Sequence, residues 1–214
     1  NRVIRETQEM LTGAGIKRYD YDPEQAKSLL DKAGWKAAAD GVRERNAVKL
    51  QFTLLTNDDP QRVQLIEEIS RQWAAVGVKA ETQSVGVYGL LSDYLKPRRF
   101  EALLYGWGNL PGDPDPYELW HSSQATGDGG NFAGFVNPKA DELIEDARHT
   151  NDQATRSRYY QQFQELYGEN VPALLLYQPT YTYALNKSVQ GFKAAPMSDP
   201  SERFRNVTEW TIAK

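Results

Sequence analysis

Residues 48–83 constrain the fold more than any other stretch. Val48-Lys49-Leu50-Gln51-Phe52-Thr53-Leu54 alternates apolar and polar side chains, the period of a half-buried strand. Thr56 to Asp59 offers capping oxygens ahead of Pro60, and Val63, Ile66, Ile69, Trp73 and Val76 then recur at helical spacing. Gly77 stops that helix and Val78 to Gln83 reads as the next strand. A strand, helix and strand in this order imply a right-handed crossover and a parallel sheet, so the chain is read as α/β.

The flanking segments supply more helices with clear ends. Asp22 is a good N-cap, Pro23 suits the first helical position, and Glu24 favours the positive end of the helix dipole. Ala26, Leu29, Leu30 and Ala33 share one face, Gly34 ends the helix, and Trp35 can fold back onto it. An earlier helix is read through Val3, Ile4 and Met10, ending near Gly13. Ala37 to Asn46 reads as a loop or short hairpin, and Val87 to Leu95 as a short helix broken at Pro97. Asn137 before Pro138 caps a helix with Leu143, Ile144 and Ala147 inward; Asp152 caps another with Tyr159, Phe163, Leu166 and Tyr167 inward. Ala102 to Trp107, Ala173 to Tyr177, Tyr181 to Leu185 and Val207 to Ile212 read as further strands, and Phe192, Phe204 and Trp210 in the tail call for a partner surface.

Composition narrows the partners. The chain has 214 residues, 40% hydrophobic and 25% charged, ordinary for a globular protein of one large domain or two small ones. A net charge of −4 with mixed signs argues against a nucleic-acid surface, and there is no basic membrane stripe. No apolar run approaches the roughly 20 residues of a membrane span. The sequence holds no cysteine, which excludes disulfides, thiolate metal sites and a cysteine nucleophile.

The strand at Ala102 opens into Tyr105-Gly106-Trp107-Gly108-Asn109-Leu110-Pro111-Gly112-Asp113-Pro114-Asp115-Pro116-Tyr117. Ligands collect at the carboxyl ends of strands in open α/β sheets. Glycines let backbone approach a ligand, prolines stiffen the loop, and Trp107 offers a flat apolar face. Trp107 either lines a site or packs in the core. A hydrolase reading would use Asp113, Asp115 and His121, one of only two histidines. Carboxylates for that task stand about 5 to 9 Å apart across a cleft, whereas two Asp in a stiff turn tend to bond their own backbone. His149, at a helix end, is explained by the dipole. No nucleophile elbow, phosphate loop, dinucleotide fingerprint or zinc motif is present, and a calcium loop is not matched because Tyr117 sits where an oxygen ligand belongs. No metal or cofactor is therefore expected.

One run carries a resemblance. Tyr21-Asp22-Pro23-Glu24-Gln25-Ala26-Lys27-Ser28-Leu29-Leu30-Asp31-Lys32-Ala33-Gly34-Trp35 resembles a signature of the family 5 extracytoplasmic solute-binding proteins of ABC transporters, the peptide, dipeptide and nickel group. Gly106-Trp107 with Asp113-Pro114-Asp115, then Asn131, Gly134-Phe135 and Asn137-Pro138, then Asp152 to Arg158 and Val171-Pro172, resemble further family motifs in the right order. The resemblance implies one lobe of a type II periplasmic-binding-protein-like fold, a mixed sheet flanked by helices. It implies a ligand-binding lobe over 1–185, truncated at its start, with 186–214 a tail returning to a missing N-terminal lobe. The Gly13–Tyr19 link is shorter than the family leads one to expect.

The resemblance also implies an extracytoplasmic protein, periplasmic or membrane-anchored as a lipoprotein. Its role would be to bind a peptide or other small solute between two lobes and deliver it to an ABC permease without chemistry. A non-transport peptide sensor or chaperone stands beside uptake. Trp107 matches an aromatic that lines the cavity in peptide-binding members. An Asp three residues later holds the peptide's amino terminus in several of them, and here that place is Leu110. The expected ligand-binding set is Trp107, Gly108, Asn109, Leu110, Asp113, Asp115 and Asn131.

Overall fold

A computed structural model describes residues 17, 19–107, 115–177, 182–195 and 200–213. The helix expected before Gly13 lies outside them. The chain divides into two compact units, Arg18–Gly106 and Trp107–Lys214 with Asn1–Lys17. The sequence placed its one boundary at 185/186; the structure divides the chain between Gly106 and Trp107, where the run singled out above begins.

The first unit opens with α1 (Pro23–Lys32). The Asp22 carboxylate accepts from Gln25 N at 2.8 Å, and Trp35 N reaches back to Leu30 O at 2.9 Å beyond Gly34, as read from sequence. Its apolar face is less buried than the spacing predicts, since Leu29 is 55% exposed. The hairpin forms with an extra strand: β1 (Lys36–Ala37), β2 (Arg43–Arg45) and β3 (Val48–Lys49) make an antiparallel meander. Asn46 and Ala47, between β2 and β3, both have positive φ, as a tight primed hairpin turn requires.

The strand expected over Val48 to Leu54 is two strands. Val48–Lys49 pairs with β2, while β4 (Gln51–Asn57) enters the main sheet. The alternation runs unbroken across Leu50, so periodicity alone could not show the change of partner. From there the crossover reading holds. β4 leads into α2 (Pro60–Ala74), capped by Asp59 through Gln61 N and Arg62 N, and then into β5 (Lys79–Val85), parallel to β4. With β6 (Ala102–Leu103), also parallel, the order is β5-β4-β6. β6 is shorter than the expected 102–107; beyond it Leu104 N still bonds Leu55 O at 2.8 Å. Antiparallel pairing among the described residues is confined to the two small sheets.

Ile66 of α2 packs on Leu54 and Ala80, ringed by Phe52, Ile69, Trp73, Ala102 and Leu104. Each such large side chain removed from water contributes about 1.5–3 kcal/mol. Arg43 ties the unit together from a buried position, donating to Val76 O, Trp35 O and the Asp31 carboxylate, each at 2.8 Å. The hydrogen bond from Arg43 holds the Asp31 carboxyl below its usual value. Gly77, at φ +87°, is required twice over: a Cβ there would lie 2.8 Å from Arg43 Cγ. After β5, α3 (Val87–Gly89) widens into a π-helical stretch, Leu90–Leu95, which buries Leu90 and Leu95.

In the second unit, α4 (Tyr117–Trp120) precedes α5 (Pro138–His149) and α6 (Gln153–Asn170). Asn137 caps α5 through Lys139 N and Ala140 N, and Asp152 caps α6 through Thr155 N. Trp120, Ala140, Leu143, Ile144 and Phe163 form the core, with Tyr159, Leu166 and Tyr167 against it.

Two expected strands are not found. Ala173 to Tyr177 joins no ladder among the described residues, and neither does the described part of 181–185. The tail forms β7 (Val189–Gln190) paired antiparallel with β8 (Thr211–Ile212), and Val207–Glu209 is a short 3-10 turn instead of strand. Its aromatics satisfy one another: Trp210 packs on Phe192 at 5.7 Å and on Phe204 at 5.9 Å, and Tyr183 meets Phe192 at 5.9 Å.

Candidate functional site

Of the seven residues expected to bind ligand, Gly108, Asn109, Leu110 and Asp113 lie outside the described residues. Trp107, Asp115 and Asn131 are placed, all in the second unit.

Trp107 is half-buried and occupies both of its expected roles in part. Its ring meets Trp120 edge-on at 5.6 Å, and it borders the core cluster, yet it is not sealed within it. Trp120 is held from the other side by Tyr167 at 4.9 Å. Tyr167 donates to Ala173 O at 3.0 Å, and burial pushes its phenol well above its usual pKa. Trp120, with Tyr167 behind it, therefore backs the indole, which remains partly exposed.

Asp115, at the surface, and Asn131, buried, are both bonded within the protein. The Asp115 carboxylate accepts from Tyr117 N at 3.0 Å and pairs with Arg148 of α5 at 3.1 Å. Arg148 also stacks over the Tyr117 ring at 4.3 Å, and Tyr117 stacks on His121 at 4.2 Å. Asn131 is 0% exposed. Its amide nitrogen donates to His121 O and Phe135 O, and its oxygen accepts from Phe135 N at 3.1 Å. Asn131 pins the Gly-rich loop, its buried amide satisfied by the backbone around it.

His121 is buried as well. Nδ1 meets Ser123 Oγ at 2.8 Å and Nε2 meets Glu145 Oε1 at 3.1 Å, with Asp141 Oδ1 at 3.9 Å. Asp141 Oδ1 itself accepts from Ser122 N at 2.8 Å. Asp115 and His121 thus bond to different partners and brace the loop. Asp115 behaves as an Asp in a stiff turn should, turned onto its own backbone. Among the described residues no group of three or more His, Asp or Glu is placed to hold a metal ion, and no helix is long and apolar enough to cross a membrane.

The first unit presents its own edge. β4 ends at Asn57, β5 runs into Gly86, and the segment after β6 reaches Gly106. Arg62, on the first turn of α2, extends over this carboxyl edge: its Nη1 donates to Asn57 Oδ1 at 3.2 Å, and a Cβ on Gly106 would stand 3.0 Å from its Nη2. Sequence reading passed over both Arg62 and Arg148. Arg148 in a last helical turn looks like routine dipole complement, whereas Arg62 in a first turn opposes the dipole, and that mismatch was the available signal.

The chain belongs to the bacterial extracellular solute-binding proteins, family 5: the model of that family's middle region matches residues 7–129. It is 31% identical over 202 residues to the oligopeptide-binding protein AppA of Bacillus subtilis, covering 93% of this chain and 36% of AppA. It is 30% identical over 182 residues to di/tripeptide-binding protein 1 of Pseudomonas aeruginosa, covering 85% of this chain and 32% of that protein. Among solved structures, AppA in complex with a nonapeptide superposes with a TM-score of 0.79 at 29% identity, over 95% of this chain and 40% of AppA. NikZ of Campylobacter jejuni in complex with Ni(L-His) gives 0.75 at 28% identity, over 94% of this chain and 41% of NikZ. The fold is that of a periplasmic binding protein, and the chain spans about a third of the length of the curated relatives it matches.

Proposed function

We propose that this chain is part of the substrate-binding component of an ABC importer. The component works outside the cytoplasmic membrane and takes up a peptide or similar solute without altering it. The observation that carries this reading is Trp107: an indole at the point where the chain leaves the sheet, held from behind by Trp120 and Tyr167 and not closed over. A rigid aromatic of this kind gives contact area at little entropic cost. Asp115, Arg148, Tyr117, His121 and Asn131 form a bonded and stacked cluster on the segment that begins at 115.

The ligand lies between two lobes that close about a hinge, the motion the handling of solutes by periplasmic binding proteins exemplifies. Residues 1–185 belong to one lobe and 186–214 lead toward the other. The closed, loaded form is what a membrane permease receives. The names of the relatives, oligopeptide- and di/tripeptide-binding proteins, support peptides as the solute class.

The test is calorimetry on the complete protein with peptides of two to nine residues. Trp107→Ala is expected to weaken binding by about 1–3 kcal/mol, the loss of a buried aromatic anchor. Unchanged affinity with a lowered melting temperature would assign Trp107 to packing alone.

A further inference from the structure

The chain contains two Asp–Gly pairs, Asp40-Gly41 and Asp128-Gly129. The amide nitrogen that follows an aspartate can attack that residue's own Cγ and close a five-membered imide. A glycine leaves the approach open, because it has no Cβ and turns freely. Whether the ring closes in a folded protein depends on what holds the carboxyl group and the amide.

At Asp40 both are held. Its Oδ2 pairs with Lys49 Nζ, and its Oδ1 accepts from Val42 N at 3.2 Å. Gly41 N donates to Ala38 O at 3.0 Å. The hydrogen bond from Lys49 keeps the Asp40 carboxyl below its usual value, so it stays an anion, the form a nucleophile attacks least readily. Asp128 stands differently. It is exposed, it follows Gly127 at φ +58°, and among the described residues no hydrogen bond or ion pair engages its carboxyl group. Gly129 N donates to Thr126 O at 3.3 Å, a longer bond than that of Gly41.

We propose that Asp128-Gly129 is a site of spontaneous isoaspartate formation in the folded protein, and that Asp40-Gly41 is protected from it. Gly129 N bonds to Asp128 Cγ; the bond from Cγ to its hydroxyl breaks, and that hydroxyl leaves with the amide proton as water. Water then opens the imide. Opening between Cγ and the nitrogen restores aspartate. Opening between the Asp128 backbone carbonyl carbon and the nitrogen leaves the main chain running through Cγ, one methylene longer. The loop has no room for that methylene. A Cβ on Gly129 would collide with Gln124 O, and one on Gly130 would lie 2.8 Å from Glu118 O, so this backbone rests directly on the backbone beside it. Two residues on, Asn131 fixes the chain to His121 O and to Phe135. The lengthened chain cannot keep both sets of contacts, and the turn that carries Trp120 and His121 loosens with it.

The experiment holds the complete protein and its Asp128→Glu variant in mildly acidic buffer and follows both sites by peptide mapping, with electron-transfer fragmentation to separate isoaspartate from aspartate. Isoaspartate is expected at position 128 at least about tenfold faster than at position 40, the worth in rate of the charge-assisted bonds that hold Asp40. Urea-unfolded protein should lose the difference. The aged protein should melt at a lower temperature than fresh protein, and Asp128→Glu, which does not close the five-membered ring, should keep its melting temperature over the same period. Equal rates at the two sites in the folded protein, faster reaction at Asp40, or no isoaspartate at 128 while the unfolded chain reacts, each overturns the proposal. Isoaspartate at 128 with an unchanged melting temperature overturns the loosening of the turn. Both sites are compared within one polypeptide, so the result stands whether or not the variant folds.

Discussion

A single buried amide shows how much of this loop depends on one side chain. Asn131 satisfies Phe135 N, Phe135 O and His121 O from a position with no exposed surface. Asn131→Ala takes the side-chain partner from Phe135 N and Phe135 O, while His121 O keeps its bond from Gln124 N; the expected loss of stability is about 1–3 kcal/mol, read as a lowered urea midpoint with unchanged m-value. Ligand affinity measured well below the melting temperature should move little if Asn131 only braces; a loss of binding at full stability would restore it as a contact. The sequence singled out Asn131 as a ligand contact, and the structure adds its bonds to the backbone of its own loop. A conspicuous Asn in a Gly-rich loop has the same one-dimensional appearance whether it serves solute or backbone, because burial is a property of the folded chain.

Helix limits were legible because caps are local chemistry. Asp22, Asp59, Asn137 and Asp152 each accept from amides of the first turn, as their types and positions predict. Strands fared worse, since a strand is defined by its partner. Val48 to Leu54 split between two sheets, and Ala173 to Tyr177 found no ladder among the described residues despite ideal composition. At the end of α6, Tyr167 reaches Ala173 O and backs Trp120, so its protonation is linked to folding. Burial raises its folded pKa above the unfolded value near 10, so its contribution is fully present below pH 10. Above that the unfolded chain sheds the proton first and stability falls until the folded pKa is reached. Tyr167→Phe should flatten the decline of melting temperature between pH 10 and 11, relative to the unaltered protein. An equally steep decline in the variant would place the alkaline sensitivity in other tyrosines.

At the scale of the whole molecule, the parallel sheet was readable from residues, and the family from the ordered motifs. The division at Gly106 and Trp107 was not, because the Gly- and Pro-rich run that begins there was read as a ligand loop and not as a linker. If solute is held between two lobes, the 214 residues alone offer one wall. They are expected to fold yet to bind peptide at least tenfold more weakly than the complete protein, since contact area and water exclusion are both lost. Micromolar binding by this polypeptide alone, in calorimetry, would show that one wall suffices. The quartet Leu174 to Tyr177, between 46 and 63% exposed, has a further consequence for anyone handling the polypeptide by itself. Short, uncharged, strand-prone runs left without a ladder recruit their own kind. The purified segment should therefore coagulate in proportion to concentration, and a lysine set into that quartet would keep it in solution.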